Sequence, residues 1–147
     1  MRLVLSTLSL LALAQPALAQ TVLETDFTIS VPTTPGQPDV VESTTLVPLL
    51  ADTCYNWHLR LGKVKGAVEI VEILTLPIAA DDWGTSDNTV ISDDQRTATS
   101  TMSLTPDDGW IGHGWCVVEG DPAGDYVIEV KSGDEVLHRF DFELQEM

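Results

Sequence analysis

The feature that most constrains this chain is the two-residue alternation of its closing run. Val136, His138, Phe140, Phe142 and Leu144 fall at one parity, and Leu137, Arg139, Asp141 and Glu143 at the other. Successive side chains of a strand point to opposite faces, so the run predicts a β-strand with one apolar and one polar side. The preceding run behaves the same way, with Tyr126, Ile128 and Val130 set against Val127, Glu129 and Lys131. Between the two, Ser132-Gly133 or Gly133-Asp134 suits a two-residue hairpin, because glycine accepts positive φ without a Cβ clash. Asp121-Pro122-Ala123-Gly124 marks another turn just upstream. A slip of one residue would carry both phenylalanine rings into water, so the register is firmly specified.

The same logic runs back through the chain. Residues 22–31 read as a first strand, closed by a stretch with three prolines in seven residues, which predicts an exposed extended loop. Residues 40–47 read as one edge strand. In residues 54–61, Tyr55, Trp57, Leu59 and Leu61 form one face and Cys54, Asn56, His58 and Arg60 the other. Residues 67–76 place Val68, Val71 and Leu74 three apart, as a helix would, but their β-branched content decides for a strand in which Glu69 and Glu72 interrupt the alternation. Residues 97–105 alternate threonine and serine with Ala98, Ser100, Met102 and Leu104. Residues 110–118 carry Gly112 and Gly114, which inside a strand signal a bulge or a close backbone approach. Strands separated by turn signals, with no helices between them, predict an all-β antiparallel sandwich of about seven to nine strands.

Residues 1–19 have the pattern of a signal peptide: Arg2, then an apolar run, then Ala17-Leu18-Ala19 as a small-x-small cleavage site. The apolar run is short for a membrane span, and no second one of membrane length follows. Residues 20–147 then form a single domain, long enough to bury one core, with a periplasmic or secreted location. The chain carries Lys+Arg 7 against Asp+Glu 23, a formal net charge of −16. Such a field repels phosphate backbones and anionic lipid, so nucleic acid and membrane surfaces are poor partners. In an exported chain the two cysteines predict a Cys54–Cys116 disulfide. Trp57 and Trp115 beside them make a core centre that links the layers plausible for the sulfur bridge. Alternation, however, points Cys54 away from the aromatic face, so either the bridge sits at the strand's start or a bulge rotates Cys54 inward.

Candidate chemistry is sparse. Cys54-x-x-x-His58 and His113-x-x-Cys116 offer ligand types suited to copper or zinc. Positions three apart lie on opposite faces of a strand, so convergence of His113 and Cys116 needs a bulge. An oxidised cysteine pair also competes with that reading, so no cofactor is expected. His138 sits on an apolar face without a catalytic partner, and neither Gly-x-Ser-x-Gly nor His-Glu-x-x-His occurs. The Asp pairs at 81–82, 93–94 and 107–108 are calcium-type ligands but match no EF-hand loop, and Asp is common in turns for its own backbone bonding. Trp83 and Trp110 stand beside such pairs, as a binding surface or as caps on the sandwich.

Gly124-Asp125-Tyr126 entering a penultimate strand, a glycine turn, and a last strand of the Phe140-x-Phe142 type resemble the immunoglobulin-like sandwiches of small exported bacterial proteins of unknown function. The resemblance implies a fold and no catalytic residues. The expectation is an exported, non-enzymatic interaction module that contacts another exported or envelope protein. The alternative is a periplasmic metal-binding protein using His58, His113 and cysteine.

Overall fold

Valine, isoleucine, threonine and aromatic residues fill the alternating positions of every long strand, the composition that packs best on a pleated, half-buried surface. The computed structural model describes residues 20–84 and 86–147; the expected signal peptide, residues 1–19, lies outside them. Ten strands follow in order: β1 Thr21–Val31, β2 Val40–Ser43, β3 Leu46–Pro48, β4 Cys54–Gly62, β5 Val68–Thr75, β6 Thr89–Ile91, β7 Thr97–Leu104, β8 Trp110–Cys116, β9 Gly124–Ser132 and β10 Glu135–Gln145. They form a four-stranded sheet, β2-β1-β4-β8, and a six-stranded sheet, β3-β10-β9-β5-β7-β6.

The inner faces of both sheets meet in one core. Phe27 and Ile29 come from β1, Tyr55, Trp57, Leu59 and Leu61 from β4, and Ile111 from β8. Facing them are Ile70 and Leu74 of β5, Tyr126, Ile128 and Val130 of β9, and Phe140, Phe142 and Leu144 of β10. Each such large side chain removed from water contributes about 1.5–3 kcal/mol. Residues 67–76 are a strand, as their β-branched content predicts, with burial alternating along β5.

Three details bear on the immunoglobulin-like expectation. The Tyr126 hydroxyl donates to the Pro122 carbonyl at 2.8 Å, the tyrosine corner of such sandwiches. The hairpin between β9 and β10 turns on Gly133 at φ +58°. The short β3 pairs parallel to β10 at the edge of the larger sheet, while the other pairings are antiparallel.

Two sequence expectations change. Residues 40–47 are two strands rather than one: the chain leaves β2 at the edge of one sheet and crosses through Thr44 and Thr45 to β3 at the edge of the other. Both halves are edge strands, β2 exposed along its whole length, so the edge position expected from the sequence holds for each. In β10 the register shifts between Val136 and His138. This bulge turns Leu137 against the core and leaves Val136 exposed, so the predicted face begins at His138.

Candidate functional site

The site is best built from the pairing of β4 with β8, which runs without a break from Cys54↔Cys116 to Arg60↔Trp110. Unbroken register fixes which side chains share a face. Tyr55, Trp57 and Leu59 point into the sandwich together with Trp115, His113 and Ile111. Cys54, Asn56 and His58 point outward together with Cys116, Gly114 and Gly112. The two glycines are close-approach positions and no bulge is present. A Cβ on Gly112 would lie 2.7 Å from the Trp57 carbonyl, and one on Gly114 would lie 1.9 Å from Asn56 Oδ1.

The inner face holds a group that no strand of this kind buries cheaply. Glu72 stands on the inward side of β5 and is fully buried. Its carboxylate is met by donors from the opposite sheet. The Trp57 indole N–H donates to Oε2, the Trp115 indole N–H to Oε1 at 2.6 Å, and His113 Nδ1–H to Oε2 at 3.0 Å. A buried charge without such partners would cost several kcal/mol. The hydrogen bond to Glu72 raises the His113 pKa above its ordinary value of 6.5, against a smaller opposing effect of burial. The imidazole is half exposed and packs edge-on against Trp115 at 6.1 Å.

Trp115 carries this network to the end of the sandwich, where a cleft of about 440 Å³ opens. Tyr55, Trp83, Trp115 and Tyr126 line it, with Leu74 and Leu76 beneath. Trp83 meets Trp115 edge to face, with centroids 6.1 Å apart and planes at 76°. Both indoles are fixed by their own N–H groups, Trp115 to Glu72 and Trp83 to the Gln95 carbonyl at 2.9 Å. The charged lining residues are Asp82, Glu119 and Asp121. Burial pushes the Asp121 carboxyl above its ordinary value, and the Val118 N–H that donates to it at 2.9 Å opposes this. Burial also raises the Tyr55 hydroxyl well above its ordinary value, with Tyr126, Asp121 and Glu72 adding to the effect. It drives Tyr126 upward too, followed by Asp121.

The residues singled out from sequence fare unevenly. Cys54 and Cys116 form the expected disulfide, but on the outer face of one sheet, joining neighbouring strands. It does not link the two layers, because residues in direct register on adjacent strands share a face. His58 and His113 point to opposite faces of that sheet. His58 shares a 2.9 Å hydrogen bond with Thr28 Oγ1, and His113 turns inward to Glu72. The proposed copper or zinc set of His58, His113 and cysteine is therefore not assembled, since the bulge it required is missing and both sulfurs are spent. Among the described residues no group of three His, Cys, Asp or Glu converges as a metal site. Asp82 and Asp94 serve their own turns: Asp82 accepts from the Gly84 N–H at 2.9 Å and Asp94 from the Ser92 hydroxyl at 2.6 Å. His138 packs edge-on to Phe140 at 4.5 Å.

Trp83 and Trp110 do not form one surface. Trp83 packs on Trp115 near the end of β8, whereas Trp110 begins that strand, on its outward face. Five strand residues separate that end from Trp110, roughly 17 Å along the strand. Sequence reasoning missed Glu72, Tyr55, Trp115 and Tyr126 as parts of one site. The available signal was the parity of Glu72, which is that of Val68, Ile70 and Leu74.

Comparison with known proteins supports the architecture. The PM0630 beta sandwich domain family model matches residues 25–145. The chain belongs to this family. Among solved structures it is similar to an immunoglobulin-like protein from Pseudomonas aeruginosa, at TM-score 0.53 and 14% identity, covering 89% of this chain and 100% of that one. At that identity the likeness shows the fold alone. A Pseudomonas fluorescens alkylpurine DNA glycosylase AlkC bound to DNA aligns over 69% of this chain and 28% of its own, at 13% identity and TM-score 0.36, and carries no argument. No curated protein matches. This chain thus has an immunoglobulin-like frame that carries a same-sheet disulfide and a buried carboxylate. Among the described residues no helix is long and apolar enough to cross a membrane.

Proposed function

We propose that this chain is an exported binding module without enzymatic activity of its own, which takes its ligand in the cleft between Trp83 and Trp115. The observation that carries the reading is the cleft itself: four aromatic rings wall it, and both indoles are held in place by hydrogen bonds to the protein. A rigid, largely apolar cavity with a few polar groups is the usual form of a ligand site. Export is supported by the leader pattern of residues 1–19 and by the disulfide, which persists in oxidising compartments. The nearest charge pair, Glu72 and His113, faces no nucleophile: both cysteines are oxidised, and His113 has Glu72 as its hydrogen-bond partner among the described residues. Partners come from the same compartment. Another exported or envelope protein would meet the cleft rim or the edge strand β2, where Val40 and Val41 are exposed.

The test is retention. Immobilised wild-type protein and a Trp83→Leu variant are incubated with an envelope extract of the source cell, and bound proteins and small molecules are identified by mass spectrometry. The expected result is a species retained by the wild type and lost from the variant. Equal retention by both, or none by either, would contradict the reading.

A further inference from the structure

We infer, on the footing that this cleft is the binding site, that it takes a small organic ammonium ion. The charge of the lining points one way. Asp82, Glu119 and Asp121 contribute carboxylates, and no Lys, Arg or His lines the cleft. An anion entering here would meet like charge in a partly desolvated setting, whereas a cation would be drawn in by the field of the whole acidic chain.

The aromatic geometry selects among cations. Trp83 and Trp115 stand at 76° to one another with centroids 6.1 Å apart, so they form two walls of a corner. The faces of such rings are negative, and perpendicular rings are how proteins enclose ammonium heads. A hard metal ion would instead call for converging oxygen ligands, which these rings do not offer. Both indole N–H groups are occupied by protein acceptors, so neither can donate to a sugar hydroxyl or a carboxylate ligand. Tyr55 is almost fully buried and lines the cleft beside these rings. The volume, about 440 Å³, lies within the ordinary small-molecule range.

The experiment titrates the purified, disulfide-closed protein with choline chloride at constant ionic strength, followed by tryptophan fluorescence and calorimetry. The uncharged isostere 3,3-dimethylbutan-1-ol is titrated in parallel. Choline is expected to saturate with a Kd on the order of 1 mM, in keeping with its few heavy atoms. The isostere should bind about tenfold more weakly, and Trp83→Leu and Asp82→Asn should each weaken choline about fivefold. Circular dichroism of both variants checks that they remain folded. Equal binding of the neutral isostere overturns the proposal, as does wild-type affinity in both variants, or no saturation by about 50 mM choline. If choline fails while the envelope extract still yields a Trp83-dependent species, only the ammonium class falls. If both fail, the cleft is not the binding site.

Discussion

The β4–β8 pair has two faces with opposite chemistry, and the comparison teaches how this sandwich is held together. Outward, Cys54 and Cys116 join adjacent strands covalently, beside two glycines that let Asn56 and His58 lie close to the backbone. Inward, Trp57, His113 and Trp115 reach across to a single carboxylate of the other sheet. Antibody domains bridge their layers with a disulfide packed on a tryptophan. Here Ile128 stands two residues beyond the corner tyrosine, where such domains carry their second half-cystine, and it is fully buried. In this chain Glu72 and two indoles make a polar link between the sheets, and the sulfur bridge lies on the outer face of one layer.

The largest effect expected from breaking this comparison belongs to the outer face. Replacing both cysteines by serine opens a covalent link across 62 residues of sequence. In the chain-entropy account this lowers unfolding free energy by about 4 kcal/mol, readable as a shift of the urea midpoint. Because the sulfurs lie outside the core, the variant should retain the wild-type near-ultraviolet dichroism of its tryptophans. Next comes the inner face. Glu72→Gln sets an amide N–H₂ against at least one indole N–H, which can only donate, and should cost about 3 kcal/mol in the same assay. Unlike loss of the disulfide, it should also alter the tryptophan signal and weaken any ligand of the cleft.

Gly114→Ala is smaller. Its Cβ would meet Asn56 Oδ1, which can swing away, and the Tyr55 carbonyl at 2.7 Å, which cannot. A loss of about 2 kcal/mol is expected from the overpacking. Smallest is the pH dependence of His113. Its pKa is raised on folding by Glu72, so its contribution is fully present below the ordinary value of 6.5 and is lost as pH rises through the folded value above it. Unfolding free energy of the wild type should therefore decline, as pH rises above about 6.5, more than that of His113→Gln, when both are measured by urea titration.

Much of the frame was legible in the sequence because the side-chain period of a strand is two. The alternation in residues 54–61 and 126–130 gave the inward residues directly, and the cysteine pair gave the disulfide. What alternation cannot reveal is which strands become neighbours. Alternation already put Cys54 on the face opposite Trp57, but that Cys116 lies directly beside it follows from β4 pairing with β8, a contact distant in sequence. Glu72 was visible as a carboxylate at a core parity, but its partners sit on the other sheet and have no local mark. The bulge at Leu137 left no local signal in the alternation. The crossing at Thr44 and Thr45 left none either, since β2 is exposed at every position and offers no buried face to compare with that of β3. Trp83 was singled out beside Trp110, whereas its packing against Trp115 depends on tertiary contacts that leave no local mark.

The most direct test of the buried carboxylate is hydrogen exchange of the indole N–H groups, read from nitrogen-correlated NMR spectra. The chain has four tryptophans, hence four indole signals. Trp57 and Trp115 should exchange slowest, Trp57 only through global unfolding, and Trp110, whose N–H has no protein acceptor among the described residues, fastest. In Glu72→Gln the protection of Trp57 and Trp115 should drop selectively. If those two N–H groups exchange as fast as that of Trp110 in the wild type, Glu72 does not hold the two sheets together in the way described.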